Sequence, residues 1–245
     1  KISSKTKSTI IKLYSAIDQE SWVVLVVVLL EDASPMVMFH CSDGQGERKL
    51  EYILTVTEII KWNSLVRFQA VHEKYITILR RVIKQKDLLY SECCYRQLWM
   101  KPEKSNGIKI EHLSSTEFEI HDLEENHFKI ISQHWSEKFP GSDKVVRDTL
   151  MYNGGVGLFL KGEKHPVAWC TIQHFYGLGM LFTLEEHRKK GFASLIIKSL
   201  SKKLIGEGID PFACVSCNNI SSYNMFKKAG FEEICLIYLC ESSTL

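Results

Sequence analysis

The chain has 245 residues, with 31 Lys+Arg against 29 Asp+Glu and a formal net charge of +2. That even balance excludes a broadly basic nucleic-acid surface and leaves any anion site to a local cluster. The length fits one large domain or two small ones, and the longest apolar run, Trp22 to Leu30, is about half of the roughly 20 residues a membrane helix needs.

In chain order, Val-rich "WVVLVVVLL" reads as a buried strand and "PMVMFHC" as a second. "GERKLEYILTVTEIIKW" reads as a helix, "SLVRFQAV" as a strand, "HEKYITILRRVIKQK" as a helix and "LLYSECCYRQLWM" as a strand, which makes a mixed α/β domain. The polar stretch "KPEKSNG" at 101–107, with Pro102 and Gly107, is the seam, dividing the chain into domains 1–103 and 107–245. Beyond it come a strand "IKIEHLS", a helix "EENHFKIISQHWSEKF", and a helix "SDKVVRDTLMYN" capped by Ser142 or Asp143. A hairpin "GVGLFLKGEKHPVAWCTIQHF" turns near Gly162 to Pro166, and "YGLGMLFTL" follows as a strand. Apolar residues at 192, 195, 196, 200 and 204 then mark a helix ending at Gly206 and Gly208. Strand "DPFACVSCN", helix "ISSYNMFKKAG" with Asn219 as cap and Gly230 as stop, and strand "FEEICLIYLCE" complete the order β-α-α-β-β-β-α-β-α-β. The two halves read as distant copies, with "VHEKYITILRRVIK" in the place of "LEEHRKKGFASLIIKSL", although the first half has no glycine at that turn.

The eight cysteines, at 41, 93, 94, 170, 214, 217, 235 and 240, are scattered through a chain too large to need staples, which favours reduced thiols in an intracellular protein. "CVSC" at 214–217 lies in a strand, where residues three apart face opposite sides, and no second Cys or His pair stands at zinc spacing. No metal is therefore expected. The chain opens on Lys1, so no N-terminal address is visible and both cytoplasm and mitochondrion fit.

The most informative stretch is "EEHRKKGFASLIIKSL" at 185–200. It crowds Arg188, Lys189 and Lys190 at the start of a helix, where free N–H groups already carry partial positive charge. An anion resolves that conflict. Gly191 permits a sharp turn and close approach, Ala193 keeps the helix start uncluttered, and the N–H groups near 189–194 can converge on a pyrophosphate. A basic surface turn with a helper glycine is the plainer alternative, and a nuclear-localisation reading of "HRKK" has only three true cations behind it. No G-x-x-x-x-G-K-[ST] is present, and Gly177-Leu178-Gly179 does not continue as G-x-G-x-x-G into a helix.

Strand "GMLFTL", turn "EEHRKKGFA", an amphipathic helix, a strand, "NNISSYNMFKKAGF" and a last strand together resemble the GNAT superfamily of acyl-CoA-dependent N-acyltransferases, in which Arg188, Gly191 and Ala193 match R/Q-x-x-G-x-G/A. The resemblance covers residues 107 to 245 and is greatest to the glycine N-acyltransferase-like branch, whose members carry a diverged GNAT-like first half. It implies an α/β (α+β) fold with a mixed central sheet flanked by helices, preceded by such a half. It also implies transfer of an acyl group from acetyl-CoA or a longer acyl-CoA directly to a primary amine: an amino acid, a small amine or a protein amine. No nucleic acid or membrane partner follows from it.

By position, the resemblance gives the pantetheine arm and thioester carbonyl to the backbone of Leu181, Phe182 and Thr183. It gives the pyrophosphate to Arg188, Lys189, Lys190, Gly191, Phe192 and Ala193, and a second cofactor contact to Asn218, Asn219 and Ser222, of which Asn219 equally suits a helix cap. Two departures stand out. The usual Glu base, eleven residues before the Arg, is Gly177, and the usual Tyr acid, four before the closing Gly230, is Phe226. His174 and Tyr176 are the nearby substitutes for the base and Tyr223, one turn before Phe226, for the acid; Glu185 and Glu186 suit helix-start charge balance. The competing readings are a catalytically silent acyl-CoA-binding or interaction module, and a GNAT-like scaffold that binds no coenzyme A.

Overall fold

A computed structural model of the chain describes residues 10–30, 33–101, 117–138 and 142–244. The expected strand at 108–114 and most of the seam lie outside these residues. The packing divides into two units, Lys1–Tyr95 with Cys235–Leu245, and Arg96–Ile234.

The first unit opens with an antiparallel meander of β1 (Ile10–Ile17), β2 (Trp22–Leu30) and β3 (Ala33–Cys41). Helix α1 (Gln45–Val56), strand β4 (Val66–His72), helix α2 (Glu73–Gln85) and strand β5 (Leu89–Trp99) follow. β1 was not expected from the sequence. Its apolar residues lie exposed on a sheet edge, Leu13 at 69% and Ile17 at 72%, so no burial pattern advertised it. Strand β11 (Glu232–Ser243) completes this sheet, in the order β1-β2-β3-β4-β11-β5, by lying antiparallel to β4 with Ile237 opposite His72 and Cys240 opposite Phe68.

The register stacks Val23, Leu25 and Val27 beside Cys41, Phe39 and Val37 on one face. There they pack with Leu50 and Leu54 of α1 and with Tyr75, Leu79 and Val82 of α2. Both helices therefore cover the same side of the sheet. α1 stops at Val56, six residues before the expected end at Trp62, because the chain turns Ile60 into the core and sets Trp62 against Phe68, ring centroids 5.6 Å apart.

The second unit begins with β6 (Phe118–Asp122), a single 3-10 turn at Glu125–His127, and helices α3 (Phe128–His134) and α4 (Ser142–Tyr152). α3 is shorter than expected from the apolar pattern, ending where Trp135 adopts an extended conformation. Strands β7 (Gly155–Leu160), β8 (Ala168–Ile172) and β9 (Leu178–Thr183) form a second meander. Helix α5 (Phe192–Gly206), strand β10 (Phe212–Ser216) and helix α6 (Ile220–Lys228) complete the unit. The strand order is β10-β9-β8-β7-β6.

Every residue of β8 is buried, because helices cover both faces. Ile196, Ile197, Leu200 and Leu204 of α5 close one side, and Ile131, Val146 and Leu150 of α3 and α4 close the other against Trp169 and Phe159. Asn219 caps α6 by accepting from the Ser222 N–H at 3.0 Å, and Gly230 ends it at φ +100°.

The element order meander, helix, parallel strand, helix, strand thus occurs twice. In that order α1, not α2, follows the first meander as α5 follows the second, so "VHEKYITILRRVIK" does not hold the place in the element order that the sequence reading gave it. The turn before α1 carries a left-handed glycine, Gly44 at φ +64°, as its N-cap.

Candidate active site

The site begins with a fork between two parallel strands. β9 and β10 share one backbone pair, Ala213 with Leu178, and then part. On its other edge β9 stays paired with β8, from Ile172 opposite Leu178 to Ala168 opposite Thr183. That ladder slips between Trp169 and Thr171, so Met180 and Leu181 together oppose Cys170, and Met180 takes a left-handed φ of +49°. A methionine in that region carries strain of order 1–3 kcal/mol, the kind of cost that persists where surrounding packing dictates the bend. The Cys170 Sγ and Thr171 Oγ1 both donate to the Gly179 carbonyl, at 3.4 and 3.2 Å, and complete burial pushes the Cys170 thiol up to about 12.

Because the strands are parallel, both C-terminal ends lie at the open end of the fork. Thr183 leads there to a 3-10 turn at Glu185–His187 and to the start of α5. Lys189 and Gly191 are both left-handed, at φ +61° and +81°. The first helical bond of α5 runs from the Leu195 N–H to the Gly191 carbonyl, 3.2 Å. Among the described residues the N–H groups of 189–194 make no backbone hydrogen bond. Lys189, Lys190 and Gly191 are exposed, so these donors and charges open to solvent.

Arg188 makes contacts with its own neighbourhood. Its Nε donates to the Thr183 carbonyl and its Nη1 to Glu185 Oε1, both at 3.2 Å, with the guanidinium 5.5 Å from the Phe182 ring centroid. The side chain braces the loop against β9. Thr183 Oγ1 is buried and has no hydrogen-bond partner among the described residues. Phe192 is buried against Phe118, ring centroids 5.4 Å apart, with Ala193 partly buried beside it.

Asn218, Asn219 and Ser222 stand just past β10, at the same open end. Asn219 is occupied as the α6 cap; Asn218 is exposed. Tyr223 has its hydroxyl bonded to Glu233, which raises its pKa, and the Arg96 guanidinium lies 4.9 Å from its ring centroid. Arg96 in turn bonds Glu233 at 3.2 Å.

His174 and Tyr176 lie on the turn joining β8 to β9, at the paired end of the fork, with Tyr176 at φ +62°. Leu178 to Thr183 spans ~17 Å at the usual rise per strand residue, so the turn and the basic loop sit at opposite ends of β9. His174 is open to solvent on one edge, yet packing within the turn partly desolvates it and lowers its pKa. At position 177 the space for a side chain is taken: a Cβ would lie 2.5 Å from Phe175 Cε2 and 3.0 Å from Phe212 Cε2. Phe226 is buried in edge-on contact with Phe231.

Two residues not singled out in the sequence come to β9. Trp169 stacks on Phe182 with centroids 5.3 Å apart, and His134, the last residue of α3, stacks on the same ring at 4.7 Å. Nothing local in the sequence marks His134, because only the folding of α3 over β9 brings it to position 182. Among the described residues no group of three or more His, Cys, Asp or Glu side chains is gathered to hold a metal ion, and no helix is long and apolar enough to cross a membrane.

Comparison with known proteins gives this geometry its context. Residues 155–239 match the family model described as FR47-like protein. The human protein named glycine N-acyltransferase-like protein 2 is 26% identical over 200 residues, 75% of this chain and 66% of its own length, so the chain spans just under two thirds of that relative. Among solved structures, a Drosophila protein superposes with a TM-score of 0.78 at 19% identity, over 90% of this chain and 78% of that one. A tandem GNAT protein from the clavulanic acid biosynthesis pathway gives 0.58 at 9%, over 96% and 83%. A GCN5-related N-acetyltransferase from Kribbella flavida gives 0.55 at 13%, over 89% and 86%. The fold is that of the GNAT acetyltransferases, and residues 155–239 are similar to the FR47-like family model.

Proposed function

We propose that the chain is an acyl-CoA-dependent N-acyltransferase that transfers an acyl group from the coenzyme A thioester directly to a primary amine of an amino acid, a small molecule or a protein. The observation that carries this is the parting of β9 and β10 after a single backbone pair, followed at the end of β9 by a turn with unpaired N–H groups and two exposed lysines. These residues fit the co-substrate. The loop amides of 189–193 suit its pyrophosphate, with Lys189 and Lys190 adding charge-assisted contacts and Arg188 holding the loop in shape. The free edge of β9 at Leu181, Phe182 and Thr183 suits the pantetheine arm, and backbone donors there would polarise the thioester carbonyl, an effect worth a few kcal/mol per donor. Asn218, Asn219 and Ser222 border the opposite prong.

For the chemistry, a neutral amine attacks the carbonyl carbon, the nitrogen–carbon bond forms as the carbon–sulfur bond breaks, and the amine loses a proton. The usual proton carriers are replaced by Gly177 and the buried Phe226, and the Tyr223 hydroxyl is held by Glu233. That observation favours a second reading, an acyl-CoA-binding module without turnover. The two are separated by measuring thiol release from acetyl-CoA and longer acyl-CoAs against a panel of amines. Amine-dependent release supports transfer; coenzyme-dependent thermal stabilisation without release supports the binding module.

We also propose that the first half is a diverged GNAT-like copy whose own fork is filled. β3 and β4 share parallel pairs at Met36 with Arg67 and Val37 with Phe68. Further along β3, the fully buried Tyr75 bonds both the Cys41 carbonyl, at 2.7 Å, and the Cys41 N–H, at 3.1 Å. Its turn carries Asp43, paired with Lys74, where the second half has Lys189 and Lys190. One coenzyme site per chain follows.

A further inference from the structure

We propose that His134 is the base that takes the proton from the acceptor amine, an inference that rests on the acyl-transfer reading above. The position where a carboxylate base would stand, 177, is closed by the rings of Phe175 and Phe212. His174, the nearest imidazole in sequence, lies on the turn at the paired end of the fork, away from the strand edge that suits the thioester. His134 lies nearly flat on Phe182, centroids 4.7 Å apart and planes 27° from parallel, and contacts Trp169 at 5.8 Å. Its neighbours in sequence place it at the C-terminal end of α3.

This packing fixes three things. First, the ring is oriented by two aromatic side chains on adjacent strands, whose residues Trp169 and Phe182 are themselves register partners. Second, the imidazole remains partly exposed, and among the described residues its nitrogens form no hydrogen bond, so both stay available. Third, it stands on the α3/α4 face of β9, the face toward which Phe182 packs, whereas Leu181 packs on the α5 face. An acceptor entering over the α3/α4 face meets the imidazole before it meets the thioester. The charged groups around this packing are Arg188, seated on the Phe182 ring, and Asp143 of α4, bonded to Ser132 of α3.

The step balances without any further reactant. As the amine nitrogen bonds to the acyl carbon, its proton passes to His134, the carbon–sulfur electron pair leaves with the thiolate, and the proton is then released to solvent or to that thiolate. His134→Ala should lower kcat by ~100-fold or more, the lower end of what a positioned base contributes, while its affinity for coenzyme A in calorimetry stays within about twofold of the parent. Added imidazole should restore part of the lost rate, which a merely structural role for the ring would not allow. Turnover by His134→Ala close to the parent rate, or a loss without imidazole rescue, overturns the proposal. Parent protein that binds coenzyme A but acylates no amine removes the transfer reading and this base with it, whereas near-normal turnover by His134→Ala removes the base alone.

Discussion

Leu178 on β9 faces Ala213 on β10 in the pair that ties these parallel strands together, and past it they separate toward Thr183 and Ser216. Every residue assigned to coenzyme binding lies beyond this pair or in the turn that follows. The proposed site is therefore a consequence of strand divergence, and changes at the open end should affect ligand binding more than folding.

Thr183 offers a prediction in which two effects have opposite signs. Its hydroxyl is buried without a partner, so Thr183→Val removes an unmet desolvation cost and should stabilise the free protein by ~1 kcal/mol. If the hydroxyl serves the pantetheine arm, the same change should weaken coenzyme A binding by ~5–10-fold, equivalent to one hydrogen bond. Thermal melts and calorimetry on the two proteins check both signs.

The basic loop separates charge from shape. Lys189→Glu with Lys190→Glu should weaken binding by ~10–100-fold and flatten its dependence on salt, since these exposed charges act on the anion directly. Gly191→Ala keeps the charge but places a side chain at φ +81°, at a cost of ~1–2 kcal/mol. Arg188→Lys also keeps the charge, yet a lysine cannot reproduce the paired Nε and Nη1 contacts with Thr183 and Glu185. Hydrogen exchange over residues 184–191 should quicken in that variant; unchanged exchange would show that the brace is unimportant.

Restoring the usual carboxylate does not restore the usual site. Gly177→Glu drives its Cβ into Phe175 and Phe212 and should destabilise the protein by ~1–3 kcal/mol without raising turnover. Adding Phe175→Ala should recover part of the stability. Melting temperatures of the single and double variants decide this.

In the first unit, Tyr75→Phe leaves the Cys41 N–H and carbonyl without their partner and should cost ~1–3 kcal/mol, with coenzyme affinity unchanged. His40, whose Nδ1 lies 3.0 Å from the Tyr75 oxygen, has its pKa lowered by desolvation and then by Lys74 and His72. A histidine with a lowered folded pKa takes up its proton more readily when unfolded. Its contribution is therefore present above the unfolded pKa and lost as pH falls through that value toward the folded one. Urea melts should show stability declining below about pH 6.5, with a shallower decline in His40→Gln.

Much of this was legible in the sequence, because periodicity and turn chemistry are local. The stripe at 192, 196, 200 and 204, the Asn219 cap and the Gly230 stop all act within a few residues, and the structure carries each of them. The basic turn was legible for the same reason. What escaped depends on residues far apart in the chain. β1 is an exposed edge strand whose order comes from pairing with β2, and the place of α1 after the first meander emerges only from which strands lie beside it. Arg188 was read by its charge, but its contacts are to the Thr183 carbonyl at the end of β9 and to the Glu185 carboxylate in the turn. His134 and Phe182 are 48 positions apart, and only tertiary packing joins them.

The central claim is tested most directly by titrating coenzyme A into the protein by calorimetry, alongside the double variant Gly191→Asp, Lys190→Glu with its circular dichroism and melting temperature monitored. The account predicts one molecule bound per chain by the parent and none by a folded variant. Equal heats from both proteins, or none from the parent, would contradict it.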